Sequence, residues 1–322
     1  MAEEIGTLDY YVRKALDFLE QQKDYEFQLP PSEHTLVVGS QTGLLTGRIV
    51  YRFAGRSFSH AKEVLAQFEI ETKKDIEDIT IVSATGSRQA VHIADYALEC
   101  ASKLKKELRV NAILCDFNDD DYNNSELRRN FGGKINTILV PAIKEPPTVN
   151  TATYGMMIKA VTKESIPEIR QVVESLREPE GGYGQFKAFT VISTDGMPEV
   201  AEMVDWKLRG EKIGRCVGSM STHLTNFMHG GAINDADEEL YVALGLADVE
   251  KEVFEQVLEP VAERRKHYVD VPEGFGPLGL MMVGYSVVGQ IQRAYPDFQK
   301  NIGEYGRRAK QWKWLSPIST KG

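Results

Sequence analysis

Short apolar runs alternate along the chain with glycine- and hydroxyl-rich turns and with amphipathic stretches. Ile79, Ile81 and Val82 form a β-branched run, Ser83, Ala84, Thr85, Gly86 and Ser87 follow at once, and residues 89–99 show helical spacing. That order reads as a strand, a turn and a helix N-terminus. The same order occurs earlier, with an apolar strand over 35–38, a turn from Gly39 to Gly43 and a helix over 44–55. Two consecutive strand–turn–helix units predict a parallel sheet with right-handed crossovers.

The remaining pattern fills in around these units. Residues 5–22 place Leu8, Tyr11, Val12, Ala15, Leu16 and Leu19 at helical spacing, a leading helix packed on the first domain. Further strands are expected over 110–115 and 137–140, with a short strand or turn near 68–70. Pro146 and Pro147 fix a loop after the 137–140 strand, and Thr148, Asn150, Thr151 and Thr153 open a helix running into 156–160. Residues 165–177 form an amphipathic helix. Pro179, Gly181, Gly182 and Gly184 then make the clearest linker in the chain, which places one domain at 1–180 and a second at 185–322. Beyond it the pattern restarts with a strand over 189–192, a turn over 193–196 and a helix over 198–209. Strands over 240–244 and 268–271, a helix over 249–263 and a buried apolar helix over 278–291 complete it. Residues 80–99 and 190–209 share five identities at a fixed offset of 110, a modest sign of duplication.

Composition narrows the function classes. The chain has 322 residues, 42% of them hydrophobic, enough for two cores of ordinary size. A net charge of -9 argues against nucleic acid as the main partner but leaves room for a small anion held by local dipoles. Cys100, Cys115 and Cys216 show no CxxC spacing, which favours a reduced, cytoplasmic setting over zinc or disulfides. No 18-residue apolar run is present, and Met1–Gly6 lacks the regions of a signal peptide, so no membrane partner is expected. The Asp119, Asp120, Asp121 cluster lacks a calcium-loop pattern and reads as a solvated loop, so no metal is expected. The basic, aromatic tail over 299–314 reads as packing on a partner subunit or reaching an active site.

The candidate chemistry lies in the turns. In an open parallel sheet, ligands sit outside the carboxyl ends of strands. Free amides and the positive end of a helix dipole favour an anion there. Hydroxyls of Ser83, Thr85 and Ser87 can bind phosphate oxygens, and Arg88 can add charge. An ordinary turn capped by Ser83 or Ser87 fits the same residues. A nucleotide site is the weaker reading, since neither GxGxxG nor GxxxxGK[ST] occurs.

Taken in order, GlySerGlnThrGly at 39–43, SerAlaThrGlySer at 83–87 and ProProThrValAsnThrAlaThrTyr at 146–154 resemble the sugar isomerase (SIS) domain of phosphosugar isomerases, over about 35–163. The second half is similar, less closely, to the second SIS domain of the isomerase part of glucosamine-6-phosphate synthase. The resemblance implies an α/β fold of two flavodoxin-like three-layer α/β/α subdomains with parallel sheets, and a homodimer. It implies a sugar phosphate as ligand and no cofactor. Under it, Ser40, Thr42, Ser83, Thr85, Ser87 and Arg88 hold the phosphate, with Thr148 and Asn150 near the sugar. His229 matches a ring-opening histidine, Glu211 a catalytic base with Glu202 as rival, and Lys310 a C-terminal substrate contact. The activity implied is aldose–ketose isomerisation at C1/C2 of a hexose or amino-hexose 6-phosphate. The alternatives are a non-catalytic sensor and a deglycase or deaminase. Arg88 stands where the family has Thr, and Gly231 where it has Pro. Amide transfer from glutamine is not supported, because no glutaminase half precedes residue 1.

Overall fold

The structure is a computed structural model and describes residues 6–62, 65–72, 75–84, 88–104, 108–116, 133–146, 149–210, 219–229 and 238–295. Two compact units divide the chain: Tyr11–Glu174 with Pro272–Val283, and Met1–Tyr10 with Ser175–Val271 and Gly284–Gly322. The leading helix α1 (Leu8–Gln21) gives residues to both.

The first unit holds β1 (Thr35–Gly39), α2 (Gln41–Phe53), β2 (Phe58–Lys62), α3 (Ala66–Thr72), β3 (Asp78–Val82), α4 (Arg88–Leu104), β4 (Arg109–Asp116), β5 (Asn136–Pro141), α5 (Thr151–Thr162) and α6 (Ile166–Ser175). Its sheet runs β2-β1-β3-β4-β5, and every pairing is parallel. Strands β1 and β3 are buried along their whole length, which is why they read as mostly apolar, β-branched runs. Leu36, Val38, Ile79, Ile81, Ala112 and Leu114 pack on Ala66 and Ile70 of α3 and on Ala90, Ile93 and Ala97 of α4. On the other face α2 lies so close that a Cβ at Gly47 would stand 2.6 Å from Val37 and 2.9 Å from Val82. This is the three-layer arrangement expected.

One expectation is corrected here. Residues 66–72 form a helix, not the short strand or turn expected near 68–70: Ala66 and Ile70, four apart, are buried, while Phe68 between them is 62% exposed. The strand that does flank β1 is β2, whose Ser59, His60 and Lys62 give it no apolar run.

The second unit holds β6 (Ala188–Ser193), α7 (Pro198–Gly210), β7 (Met220–His223), α8 (Leu224–Met228), β8 (Glu239–Leu244), α9 (Asp248–Val257) and β9 (Lys266–Val269). Its parallel sheet runs β7-β6-β8-β9. Ile192, Tyr241 and Ala243 face Leu224, Phe227, Phe254 and Leu258. Helix α9 stops at Val257, short of the expected 263, just ahead of Pro260. The last helix, α10 (Pro277–Ala294), gives Gly284–Ala294 to this unit, where a Cβ at Gly284 would meet Val204 of α7 and Leu244 of β8. Strand β6 holds in its sheet the place of β1, not that of β3. The 110-residue offset therefore matches strands in different positions, and the likeness is one that any two β–α units share. Among the described residues no helix is long and apolar enough to cross a membrane.

Candidate functional site

The first sheet's order is decisive for where a ligand sits. In 2-1-3-4-5 sheets the chain leaves strand one to one side and strand three to the other, opening a crevice at the carboxyl ends of β1 and β3. Gly39 and Val82 are the paired last residues of those strands. The turns that follow them are the two hydroxyl-rich turns singled out in the sequence.

After β1, Ser40 occupies the N-cap of α2 with extended backbone (φ -88°, ψ 135°), yet its hydroxyl makes no capping bond. Gln41 adopts φ 37°, a left-handed conformation uncommon for a residue with a side chain. The turn closes through Gly43 N donating to Ser40 O at 2.7 Å. Ser40 is exposed and Thr42 half-buried. A Cβ at Gly39 would stand 2.7 Å from Leu44 N, and one at Gly43 would stand 2.6 Å from Val82 O. These two glycines let the first turn of α2 press against the end of β3.

After β3, Ser83 is half-buried, with its amide bonded to Ile113 O at 3.1 Å. Helix α4 begins at Arg88. Thr85, Ser87 and Thr148 lie outside the described residues, as do Glu211 and Lys310. Thr42 and Ser83 thus sit on turns after neighbouring strands, about 5 Å apart in a sheet. The buried Tyr154 of α5 reaches the same place, its hydroxyl 3.4 Å from where a Gly43 Cβ would be. Sequence reasoning placed Tyr154 only as the end of a loop motif, and nothing in its neighbours marks it as part of this turn.

Asn150, at the N-cap of α5, also has a left-handed backbone (φ 46°, ψ 33°) and makes no capping bond. The amides behind it are already engaged. Buried Glu145 accepts from Ala152 N at 2.9 Å and Thr153 N at 3.3 Å. The helix dipole of α5 therefore acts on an internal carboxylate. Cys115 lies close by, its thiol pushed up by burial and then by the Glu145 charge. Glu164 does the same for α10, accepting from Gly276, Leu278 and Gly279 amides at 2.8–3.0 Å.

The carboxyl edge of the second sheet is likewise filled by the chain's own acids. Glu250 of α9 accepts from the Thr194 hydroxyl at 2.8 Å, the Asp195 amide at 2.9 Å and the Ala247 amide at 2.9 Å. Asp195 accepts from the Thr225 amide and hydroxyl and faces His223. His229 is exposed at the C-terminal end of the five-residue α8, and Glu202 is exposed on α7.

No family model and no curated protein matches the chain by sequence. Solved structures do match by shape. Tagatose-6-phosphate ketose/aldose isomerase from Escherichia coli superposes with a TM-score of 0.60 at 14% identity, over 88% of this chain and 87% of its own. Glucosamine-6-phosphate deaminase from Thermotoga maritima gives 0.55 at 12%, over 93% and 92%. The C-terminal domain of glucosamine-fructose-6-phosphate aminotransferase from Francisella tularensis gives 0.54 at 10%, over 91% and 95%. The chain has the two-subdomain SIS fold of these proteins.

Proposed function

We propose that the chain binds a sugar phosphate at the carboxyl edge of its first sheet, at the β1/β3 crevice, and isomerises it between aldose and ketose. One observation carries the binding half. The turn after β1 brings α2 to the crevice with its N-cap Ser40 making no side-chain capping bond, beside the Ser83 turn, whereas α5 and α10 have carboxylates of this chain on their first amides. An anion at the crevice would meet the N-terminal end of α2 with its Ser40 and Thr42 hydroxyls, beside the turn that carries Ser83. The substrate class is supported by the names of three proteins that share the fold, since each name contains a sugar 6-phosphate.

Isomerisation moves a proton between C1 and C2, which calls for a carboxylate base and an acid that opens the sugar ring. Glu211 is the first candidate for the base and Glu202 its rival. His229 is the histidine to which the resemblance points, and Lys310 the substrate contact. A homodimer in the cytoplasm belongs to the same reading.

Glucose-, fructose-, mannose- and glucosamine-6-phosphate, offered singly in a thermal-shift assay, provide the test. The fitting sugar at 100 times its Kd should add about 2.7 kcal/mol. Thr42→Val combined with Ser83→Ala should remove that gain, since each hydroxyl bonds a charged group worth about 1.5–3 kcal/mol. A double variant that keeps the full shift rejects the site. Binding without turnover selects the sensor over the enzyme.

A further inference from the structure

We propose that Tyr154 is a positioning residue of the crevice: its hydroxyl, carried on α5, sets the first turn of α2 against the end of β3 and so fixes the seat of a bound phosphate. The inference rests on the sugar-phosphate reading and adds to it a residue to which the matched turns give no role.

The geometry converges on one point. A Cβ built on Gly43 would lie 2.6 Å from Val82 O and 3.4 Å from the Tyr154 hydroxyl. Gly43 is in the first turn of α2, and Val82 is the last residue of β3. The tip of Tyr154 therefore stands where α2 meets the sheet. Gly43 follows Thr42 in the chain, and Val82 precedes Ser83. The backbone on both sides of the junction leads straight into the hydroxyls proposed to hold the anion. Gly43 offers no side chain at this junction, and the phenol from α5 supplies the group that stands there.

Tyr154 is itself firmly placed. It is 7% exposed, and every residue of α5 from Thr151 to Ala160 is buried. At the start of the helix Glu145 accepts the Ala152 and Thr153 amides, and the Tyr154 amide donates to Asn150 O at 3.3 Å. At the next position, a Cβ on Gly155 would lie 2.7 Å from Met282, 3.5 Å from Leu19 and 3.6 Å from Leu278, so α1 and the start of α10 press on α5. All of these residues belong to one compact unit. A close-packed helix of this kind yields little, and its tyrosine resists displacement of the turn beside it.

Affinity follows from that hold. A binding group must keep its place to within about 0.5 Å, and one whose supporting shell is loose loses binding energy while still present. Gly39 and Gly43 allow α2 to come close to β3 but carry no side chain to keep it there. Tyr154 keeps it there. The phenol acts on the protein's own turn, and the ligand meets the turn.

The test measures Kd for inorganic phosphate and for the four sugar 6-phosphates named above on the full chain, beside urea midpoints. Tyr154→Phe keeps the ring and removes the hydroxyl. It should keep a midpoint close to the parent's and weaken inorganic phosphate and sugar phosphate by the same factor, about tenfold. Tyr154→Ala should weaken both further and also lower the midpoint, because it leaves a cavity. Where the sugar is turned over, the loss should appear in KM, with kcat little changed. Amide resonances of residues 40–44 should move in unliganded Tyr154→Phe, while those of β2 stay in place. A tyrosine that only fills the core gives the opposite split, a lowered midpoint with the parent's Kd. That split, or a Tyr154→Phe chain that binds with the parent's Kd, overturns the inference and leaves the crevice standing. A parent chain that binds neither inorganic phosphate nor any of the four sugar phosphates overturns the crevice, and the inference with it.

Discussion

Gly43→Val is expected to lower stability by about 2–4 kcal/mol and to weaken sugar-phosphate binding at least tenfold. Gly43 is buried in the first turn of α2, and a Cβ there would lie 2.6 Å from Val82 O and 3.4 Å from the Tyr154 hydroxyl. The closest atom is backbone, and Val82 is tied into the sheet by its register with Gly39 on one side and Ile113 on the other. The strand end cannot yield without breaking that ladder, so α2 must move out. Moving α2 separates the Ser40 and Thr42 turn from the turn that carries Ser83. Gly47→Ala provides the comparison. Its Cβ would press on Val37 and Val82 side chains rather than on backbone, one helical turn away from the crevice. It should cost stability and leave affinity near the parent's. Denaturant midpoints and sugar-phosphate thermal shifts on both variants check this. A Gly43→Val chain with the parent midpoint and shift would falsify the close approach of α2 to β3.

The same close approach shows what sequence reasoning reached and what it did not. The central strands β1, β3, β4, β6 and β8 were all legible, because burial on both faces leaves a mostly apolar run. The two strands that escaped, β2 and β7, hold the same place in their sheets, at the edge beside the first strand. An edge strand pairs on one side only and can carry SerHisAlaLys or SerThrHis without cost, so no run announces it. The hydroxyl turns after β1 and β3 were legible as a site because glycines and hydroxyls follow apolar runs at once. The order that sets those turns side by side depends on β2, and β2 gives no signal. The acids that occupy other helix ends were equally hidden: Glu145 lies seven residues before Ala152, and Glu164 lies 112 residues before Gly276. Long-range partners of that kind leave no local spacing to read. The Asp195–His223 pair, 28 residues apart, is another such case.

Asp78→Ala is expected to destabilise the first unit by about 2–3 kcal/mol at neutral pH while leaving the crevice chemistry alone. Asp78 opens β3 at the amino edge of the sheet, opposite the site, and is fully buried. Arg109, across the register on β4, donates to it from Nε at 2.9 Å and from its terminal nitrogen at 2.6 Å. Asn111 donates at 3.1 Å, and Asn136 on β5 donates to Asn111 at 3.3 Å, so one carboxylate anchors a polar ladder across three strands. Removing it leaves the Asn111 amide buried without its acceptor. The Arg109 side chain is 57% exposed and stays hydrated, which holds the loss below that of a fully buried pair. Burial raises the Asp78 carboxyl, but bonds from Arg109, Ser32 and Asn111 outweigh it, and its pKa is lowered in the fold. The sign of the pH dependence follows. A carboxyl lowered by folding contributes stability that is fully present above its unfolded value of about 3.9 and is lost as pH falls through the folded value. The gap in stability between the parent and Asp78→Asn should be constant from pH 8 to about pH 5 and narrow below about pH 4. Urea midpoints over that range measure it. A gap that stays unchanged down to pH 2 would show that the charge on Asp78 plays no part, and that the ladder is held by shape and neutral hydrogen bonds alone.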